Sequence, residues 1–159
     1  MKYDLDTLPY REGVYAIILN QSKTSILLVK KENSDVWGLP GGGVDNNEDY
    51  IKSLFRELEE ELQTIKFRTM HSCTTPYSYD WPESEIEKNI IKKGKAMRGQ
   101  SQNFYILLFD GIDTDIKLQA KELKSYTWAP LNKLSTYITY PSLLKHLKFC
   151  MNEYNLKVV

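Results

Sequence analysis

The stretch GGGVDNNEDYIKSLFRELEEELQT, Gly41 to Thr64, runs from three glycines into a segment of helical periodicity. The glycines follow Pro40 and are expected to lack regular structure. Asn46 or Asn47 is placed to cap a helix, and Glu48 and Asp49 suit its positive end. The helix is expected from about Glu48 to Leu62. At about 100° per residue, Ile51, Leu54, Phe55, Leu58 and Leu62 share an arc of roughly 100°, a stripe that faces a core. Glu57, Glu60 and Glu61 fall on a second arc roughly 120° away, so three carboxylates gather along one edge of the buried face. Glu59 points elsewhere. Glu57 and Glu61, four apart, repel across a turn, and acids near the carbonyl end of a helix are unfavourable again. That cost asks for a compensating cation.

The flanks of this stretch read as sheet. GVYAIIL (Gly13 to Leu19) and SILLVKK (Ser25 to Lys31) are nearly continuous apolar runs, as in strands covered on both faces, and the turn-like NQSK joins them. Beyond the helix, TIKFRTMHSCTT alternates loosely like a strand, NFYILLFDG is a strong strand, SYTWAPL a shorter one, and SLLKHLKFCMNEY a closing amphipathic helix. PYSYDWPESEIEKNIIKKGKAMRGQ reads as a long irregular connection, acids first, then Lys88, Lys92, Lys93, Lys95 and Arg98. Strands before and after one central helix predict a mixed α/β (α+β) sandwich, and the 159 residues suit one domain, 1–159.

The composition is 42% hydrophobic and 26% charged with zero net charge, so no global field draws the chain to nucleic acid or a membrane. No DNA-binding module is evident, and nothing fixes an oligomeric state. The apolar runs are too short to span a bilayer, the N-terminal MKYDLDTLPYREG does not read as a signal peptide, and two distant cysteines argue against a zinc site or a disulfide framework. The expected setting is cytoplasmic.

Hard cations such as Mg²⁺ take oxygen ligands, commonly a few carboxylates plus substrate phosphates. Carboxylates at i, i+3 and i+4 supply them from a rigid element, and a glycine loop lets backbone approach phosphate oxygens closely. A solvated acidic helix face is the plainer alternative for the acids taken alone. The whole stretch decides between them: Gly42, five residues, Glu48, seven residues, then Arg56-Glu57-Leu58-x-Glu60-Glu61. It resembles the Nudix box, G-x5-E-x7-R-E-U-x-E-E-x-G-U, with U a bulky aliphatic. Gln63 and Thr64 replace the last two positions.

The resemblance implies a Nudix-type α/β/α sandwich with a mixed central sheet and a loop–helix–loop catalytic motif. It implies hydrolysis, by water and Mg²⁺ or Mn²⁺, of a nucleoside diphosphate linked to another moiety. Carried over, Glu57, Glu60 and Glu61 would ligate metal, one of them helping to deprotonate water, while Arg56 and Glu48 orient and balance them. Gly41, Gly42 and Gly43 would bring backbone to the phosphates.

Outside the box, Tyr79-Asp80-Trp81-Pro82, Gly99-Gln100-Ser101-Gln102 and Glu122 with Trp128 are similar to the branch containing RNA pyrophosphohydrolases and asymmetric dinucleoside tetraphosphate hydrolases. Pro40-Gly41 stands where that branch has Pro-Gln, and Lys121, Leu123 and Tyr126 replace its proline, phenylalanine and first tryptophan. Glu122 would be a further metal ligand or a general base; an exposed loop glutamate is the alternative. Gln100 and Gln102 read either as substrate contacts or as outward-facing strand positions. Lys30, Arg98 and the other bases of the long connection read as a grip on a polyphosphate or as solvated charge. Tyr79, with Tyr77 and Trp81, reads as a stacking surface for a base or as packing.

The function expected is metal-dependent hydrolysis of a phosphoanhydride bond in a nucleoside polyphosphate, either a dinucleoside polyphosphate or the 5′-triphosphate end of RNA. The alternatives are a generalist acting on nucleoside triphosphates or nucleotide sugars, which the triple glycine fits, and a non-catalytic nucleotide sensor. A sensor would be expected to lose box carboxylates, and all are present here.

Overall fold

The computed structural model describes residues 2–156; Met1 and residues 157–159, the ends of the expected domain, lie outside the described residues. After a short turn at Leu5–Thr7 come β1 (Tyr10–Leu19), β2 (Ser25–Lys31), β3 (Trp37–Gly38), β4 (Gly41–Gly43) and α1 (Tyr50–Leu62). Then follow β5 (Phe67–Ser72), β6 (Tyr77–Asp80), α2 (Glu83–Lys93), β7 (Gly99–Phe109), β8 (Leu123–Pro130), α3 (Leu134–Tyr137) and α4 (Pro141–Glu153).

The sheet runs β3-β2-β1-β7-β5, with β4 also on β1, β6 on β7 and β8 on β2. β1 and β7 are parallel, Tyr10 opposite Gly99 through Leu19 opposite Leu108; the other pairs are antiparallel. β1 feeds both faces. Val14, Ala16 and Ile18 pack in the cluster that holds Leu54, Leu58 and Leu62 of α1. Ile17 and Leu19 pack in the cluster that holds Leu147, Cys150 and Met151 of α4. A strand covered on both sides has no position for a polar residue, which explains its unbroken apolar run. The expected α/β/α sandwich with a mixed sheet is the observed one.

α1 starts later than its periodicity suggests. Asp49 is the cap, its carboxylate accepting from the Lys52 N–H, and Asn47 turns the chain at φ 61°. Glu48 is thereby left outside the helix. At the other end Gln63 takes the left-handed conformation (φ 57°, ψ 34°) and its N–H donates to the Glu59 carbonyl. The helix therefore closes where a glycine would close it, at a conformational cost of about 1–2 kcal/mol for a residue with a Cβ.

Two segments differ from the sequence expectation. The glycines form a short strand, Gly41 opposite Tyr15 and Gly43 opposite Gly13. A Cβ on Gly41, which sits at φ 146°, would come within 2.1 Å of the Val14 carbonyl oxygen, so only glycine permits this approach. The long connection contains β6 and α2. α2 buries only Ile86, so it lacks the apolar stripe that betrays a helix; its signal is charge order. Glu83 and Glu85 occupy the first turn, Lys92 and Lys93 the last, and Gly94 ends it at φ 75°, an arrangement matched to the helix dipole.

The registered pairing of β1 with β2 is confined to Leu19 and Ile26. Beyond that point β4 lines β1 and β3 lines β2. The glycine strand is thus held at the divergence of the two, under the acidic end of α1.

Candidate active site

Arg56 organises the acidic edge. Its Nε and Nη2 donate to the two oxygens of Glu48, both at 3.1 Å, the bidentate fork that suits a guanidinium. Nη1 reaches Oε1 of Glu57 at 3.0 Å and Oε1 of Glu60 at 3.3 Å, and Nη2 donates to the Gly43 carbonyl at 3.4 Å. Glu48 also accepts a short bond from the Ser53 hydroxyl. With Arg56 first and Ser53 second, its carboxyl is held down to about 2.

Glu61 is sequestered differently. Its side chain is 0% exposed; Oε1 accepts from the Gly41 N–H at 2.8 Å, and Oε2 is in short contact with the Lys31 ammonium. Lys31 lies 3.4 Å from the Gly41 carbonyl as well. Burial pushes the Glu61 carboxyl up, against the opposing pull of Lys31 and the Gly41 N–H. Burial also raises Glu57, with Arg56 opposing and the charges of Glu60 and Glu122 adding to the rise. Glu122, exposed at the entry to β8, is therefore within electrostatic reach of the acidic edge. Its carbonyl accepts from Glu32 N–H at 2.9 Å, which ties this turn to the end of β2.

Glu57 rests on the glycine strand: a Cβ on Gly42 would come within 2.5 Å of its carboxylate. Among the described residues no three acid, imidazole or thiol groups close around one metal-sized point. Glu57 and Glu60 are turned to Arg56, and Glu61 to Gly41 and Lys31. The donor chemistry nevertheless fits a hard divalent cation. Only oxygens are offered, and the five carboxylates Asp45, Glu48, Glu57, Glu60 and Glu61 meet two cations, Arg56 and Lys31, leaving an excess of three negative charges.

The remaining candidates divide into separate places. Lys30 lies with its ammonium 4.6 Å above the Trp37 ring and does not line the cavity beside Glu57; Lys31, unmarked by any motif, is the lysine at the acids. Arg98 binds Asp80 at 2.8 Å and stacks on Tyr10 at 5.1 Å, an internal clamp on β6. Gln100 is 6% exposed; it accepts from the Tyr79 hydroxyl at 2.7 Å and from Gln102 at 3.0 Å, and donates to the Tyr15 hydroxyl at 3.0 Å. Its amide oxygen is taken up in placing Tyr79 and Gln102. Those two, with Tyr77, Tyr140 and Leu143, line an open pocket of about 420 Å³. Tyr140 enters only through the docking of α4, which no local pattern announces.

A second cavity, of about 390 Å³, opens beside Glu57 and is lined by Arg11, Asp45, Lys93 and Lys95 among others. Arg11 had no sequence signal of its own. Among the described residues no helix is long and apolar enough to cross a membrane.

A NUDIX domain model matches residues 9–147. The chain is 34% identical over 134 residues to an RNA pyrophosphohydrolase of Pelagibacter ubique, covering 82% of this chain and 83% of that one. It is 29% identical over 154 residues to the RNA pyrophosphohydrolase of Orientia tsutsugamushi, covering 95% and 93%. In fold it is similar to the E. coli dihydroneopterin triphosphate pyrophosphohydrolase, with a TM-score of 0.70 at 15% identity, over 91% of this chain and 99% of that one.

Proposed function

The chain belongs to the NUDIX domain family, and from that premise we propose that it hydrolyses a phosphoanhydride bond at the 5′-polyphosphate end of RNA. Its general activity is that of a pyrophosphohydrolase of nucleoside polyphosphates. The RNA end is favoured by the relatives named above. The observation that carries the site is Glu57 laid against Gly42, beside Glu60 and around one guanidinium, where a single added carbon would displace it.

Glu57, Glu60 and Glu61, with Glu122 near Glu57, would hold Mg²⁺ or Mn²⁺. Such an ion, when bound, lowers the pKa of water and neutralises charge on the attacked phosphate. The chain's own residues do the rest. Arg56 and Glu48 fix the orientation of Glu57 and Glu60. Lys31 and Arg11 place cations on either side of the glycine strand, at Gly41 and Gly43, for the phosphate chain. The pocket of Tyr77, Tyr79, Gln102 and Tyr140 offers aromatic faces and one amide to a nucleobase.

A second substrate, a dinucleoside polyphosphate, is favoured by the same aromatic pocket, which recognises a 5′-nucleoside whatever lies beyond its phosphates. The test is turnover with Mg²⁺ or Mn²⁺ of triphosphorylated RNA, diadenosine polyphosphates, nucleoside triphosphates and nucleotide sugars, with products identified. RNA and diadenosine substrates should lead. Absence of turnover by folded protein would favour a nucleotide sensor.

A further inference from the structure

The cavity beside Glu57 does not end at Lys93. A neighbouring one of about 330 Å³ is lined by Arg11, Trp81, Asn89, Lys92 and Lys93 among others, and Arg11, Asn89 and Lys93 line both. The two therefore adjoin, and together they lead from Glu57 past Arg11 and along α2 to Trp81. Five cations line this groove, Arg11, Lys88, Lys92, Lys93 and Lys95, against three acids, Asp45, Glu57 and Glu85. Asp45 and Glu57 are engaged by Arg56 and Glu85 by Lys88. Arg11, Lys92, Lys93 and Lys95 have no carboxylate partner among the described residues.

Arg11 is the informative member. Arg56, Arg68 and Arg98 each pair with a carboxylate, whereas Arg11, half-buried, lies across Gly43, where a Cβ would meet its guanidinium nitrogen at 2.5 Å. The chain as a whole is neutral, so this excess of positive charge is local. A groove with an excess of cations from β1 and from the α2 segment, a ring at its far end and the acidic edge at its mouth is suited to a linear polyanion that carries bases.

We propose that this groove is a phosphodiester track, which takes the backbone of an RNA strand downstream of the 5′ phosphates being cleaved. Arg11 stands at the entrance, Lys92, Lys93 and Lys95 follow the strand, and Trp81 gives a base a face to stack on. The inference rests on the RNA reading of the site. It also supplies a basis for discrimination, because a dinucleoside polyphosphate has no downstream backbone to lay along α2.

The test compares wild type with a Lys92→Gln/Lys93→Gln/Lys95→Gln variant whose fold is checked by circular dichroism. Binding is read by the anisotropy of a 3′-fluorescein RNA of roughly a dozen nucleotides with a 5′-monophosphate, over a range of salt. The slope of log affinity against log salt should fall by about 0.7 per lost contact, about 2 in all. Turnover of triphosphorylated RNAs should fall about tenfold for the dozen-nucleotide strand and several-fold less for a dinucleotide, since the dinucleotide reaches only the cavity beside Glu57 and not Lys92 in the farther one. Equal losses at both lengths, or an unchanged salt slope, would overturn the track alone. Wild type that cleaves diadenosine tetraphosphate but neither RNA would remove the substrate reading and the track with it.

Discussion

The ammonium of Lys31 lies against the fully buried carboxylate of Glu61 and 3.4 Å from the carbonyl oxygen of Gly41. It is the one cation that this carboxylate touches among the described residues, and half of its own side chain remains in solvent. A divalent cation taken up by Glu61 would compete with it for the same oxygens.

Replacing the lysine should therefore separate two states of the protein. In Lys31→Met, Glu61 loses its partner, and the metal-free protein should lose about 1–3 kcal/mol, less than a fully buried pair because the lysine is half solvated. The rise in Tm on adding Mn²⁺ should become larger than in wild type. A smaller rise would mean that Lys31 and the metal act together rather than in competition.

Glu61 carries the pH dependence. Its folded pKa is raised, chiefly by burial, so the folded state binds a proton more tightly than the unfolded one. The metal-free protein should accordingly lose stability as pH rises from the ordinary carboxylate range through the raised value. Glu48, held down to about 2, acts oppositely, its contribution being lost as pH falls from the ordinary range towards that value. Glu61→Gln in EDTA should be more stable than wild type at pH near 8, with the gap closing in acid. Its activity should fall by about a hundredfold or more, equivalent to ~2.7 kcal/mol. Thermal melts across pH, paired with rates, check both.

Gly42→Ala tests the cradle under Glu57. The backbone there does not need glycine for its φ, so the fold should survive. The added Cβ, 2.5 Å from the carboxylate, should push Glu57 aside and lower kcat by about tenfold or more, with a raised metal requirement. A wild-type rate would show that Glu57 need not lie on the strand.

Gln63→Gly should stabilise. The left-handed φ of 57° is free for glycine, and the larger entropy of an unfolded glycine offsets part of the gain, leaving about 0.5–1 kcal/mol and roughly 2 °C in Tm. Activity should not change. A loss of stability would show that the Gln63 side chain is engaged in some way that the cap geometry omits.

Glu122→Gln separates a ligand or base from a surface charge. Loss of about tenfold or more in rate, with stability unchanged, is expected for a group acting in the site; a harmless substitution returns Glu122 to the surface.

Much of this protein is legible along the chain. The apolar runs of β1, β2 and β7 announce buried strands because each must fill both faces of a covered sheet. The stripe Leu54, Leu58 and Leu62 fixes which side of α1 is buried, and the spacing of Glu57, Glu60 and Glu61 then follows from helix geometry alone. Helix α2 is nearly invisible, since one buried isoleucine makes no period.

What the tertiary structure decided is which distant groups meet those carboxylates. Lys31 rather than Lys30 reaches Glu61 because alternate strand residues face opposite sides of the sheet. Arg11 lines the cavity beside Glu57 because β4 lies on β1 and Gly43 leaves room for its guanidinium. Gln100 turns inward, and Tyr140 comes to line one pocket with Tyr77 only when α4 docks. A local pattern records the geometry of one element, because neighbours three or four apart are set by the backbone. Contacts between elements depend on strand register and helix docking, which are fixed only when the core packs.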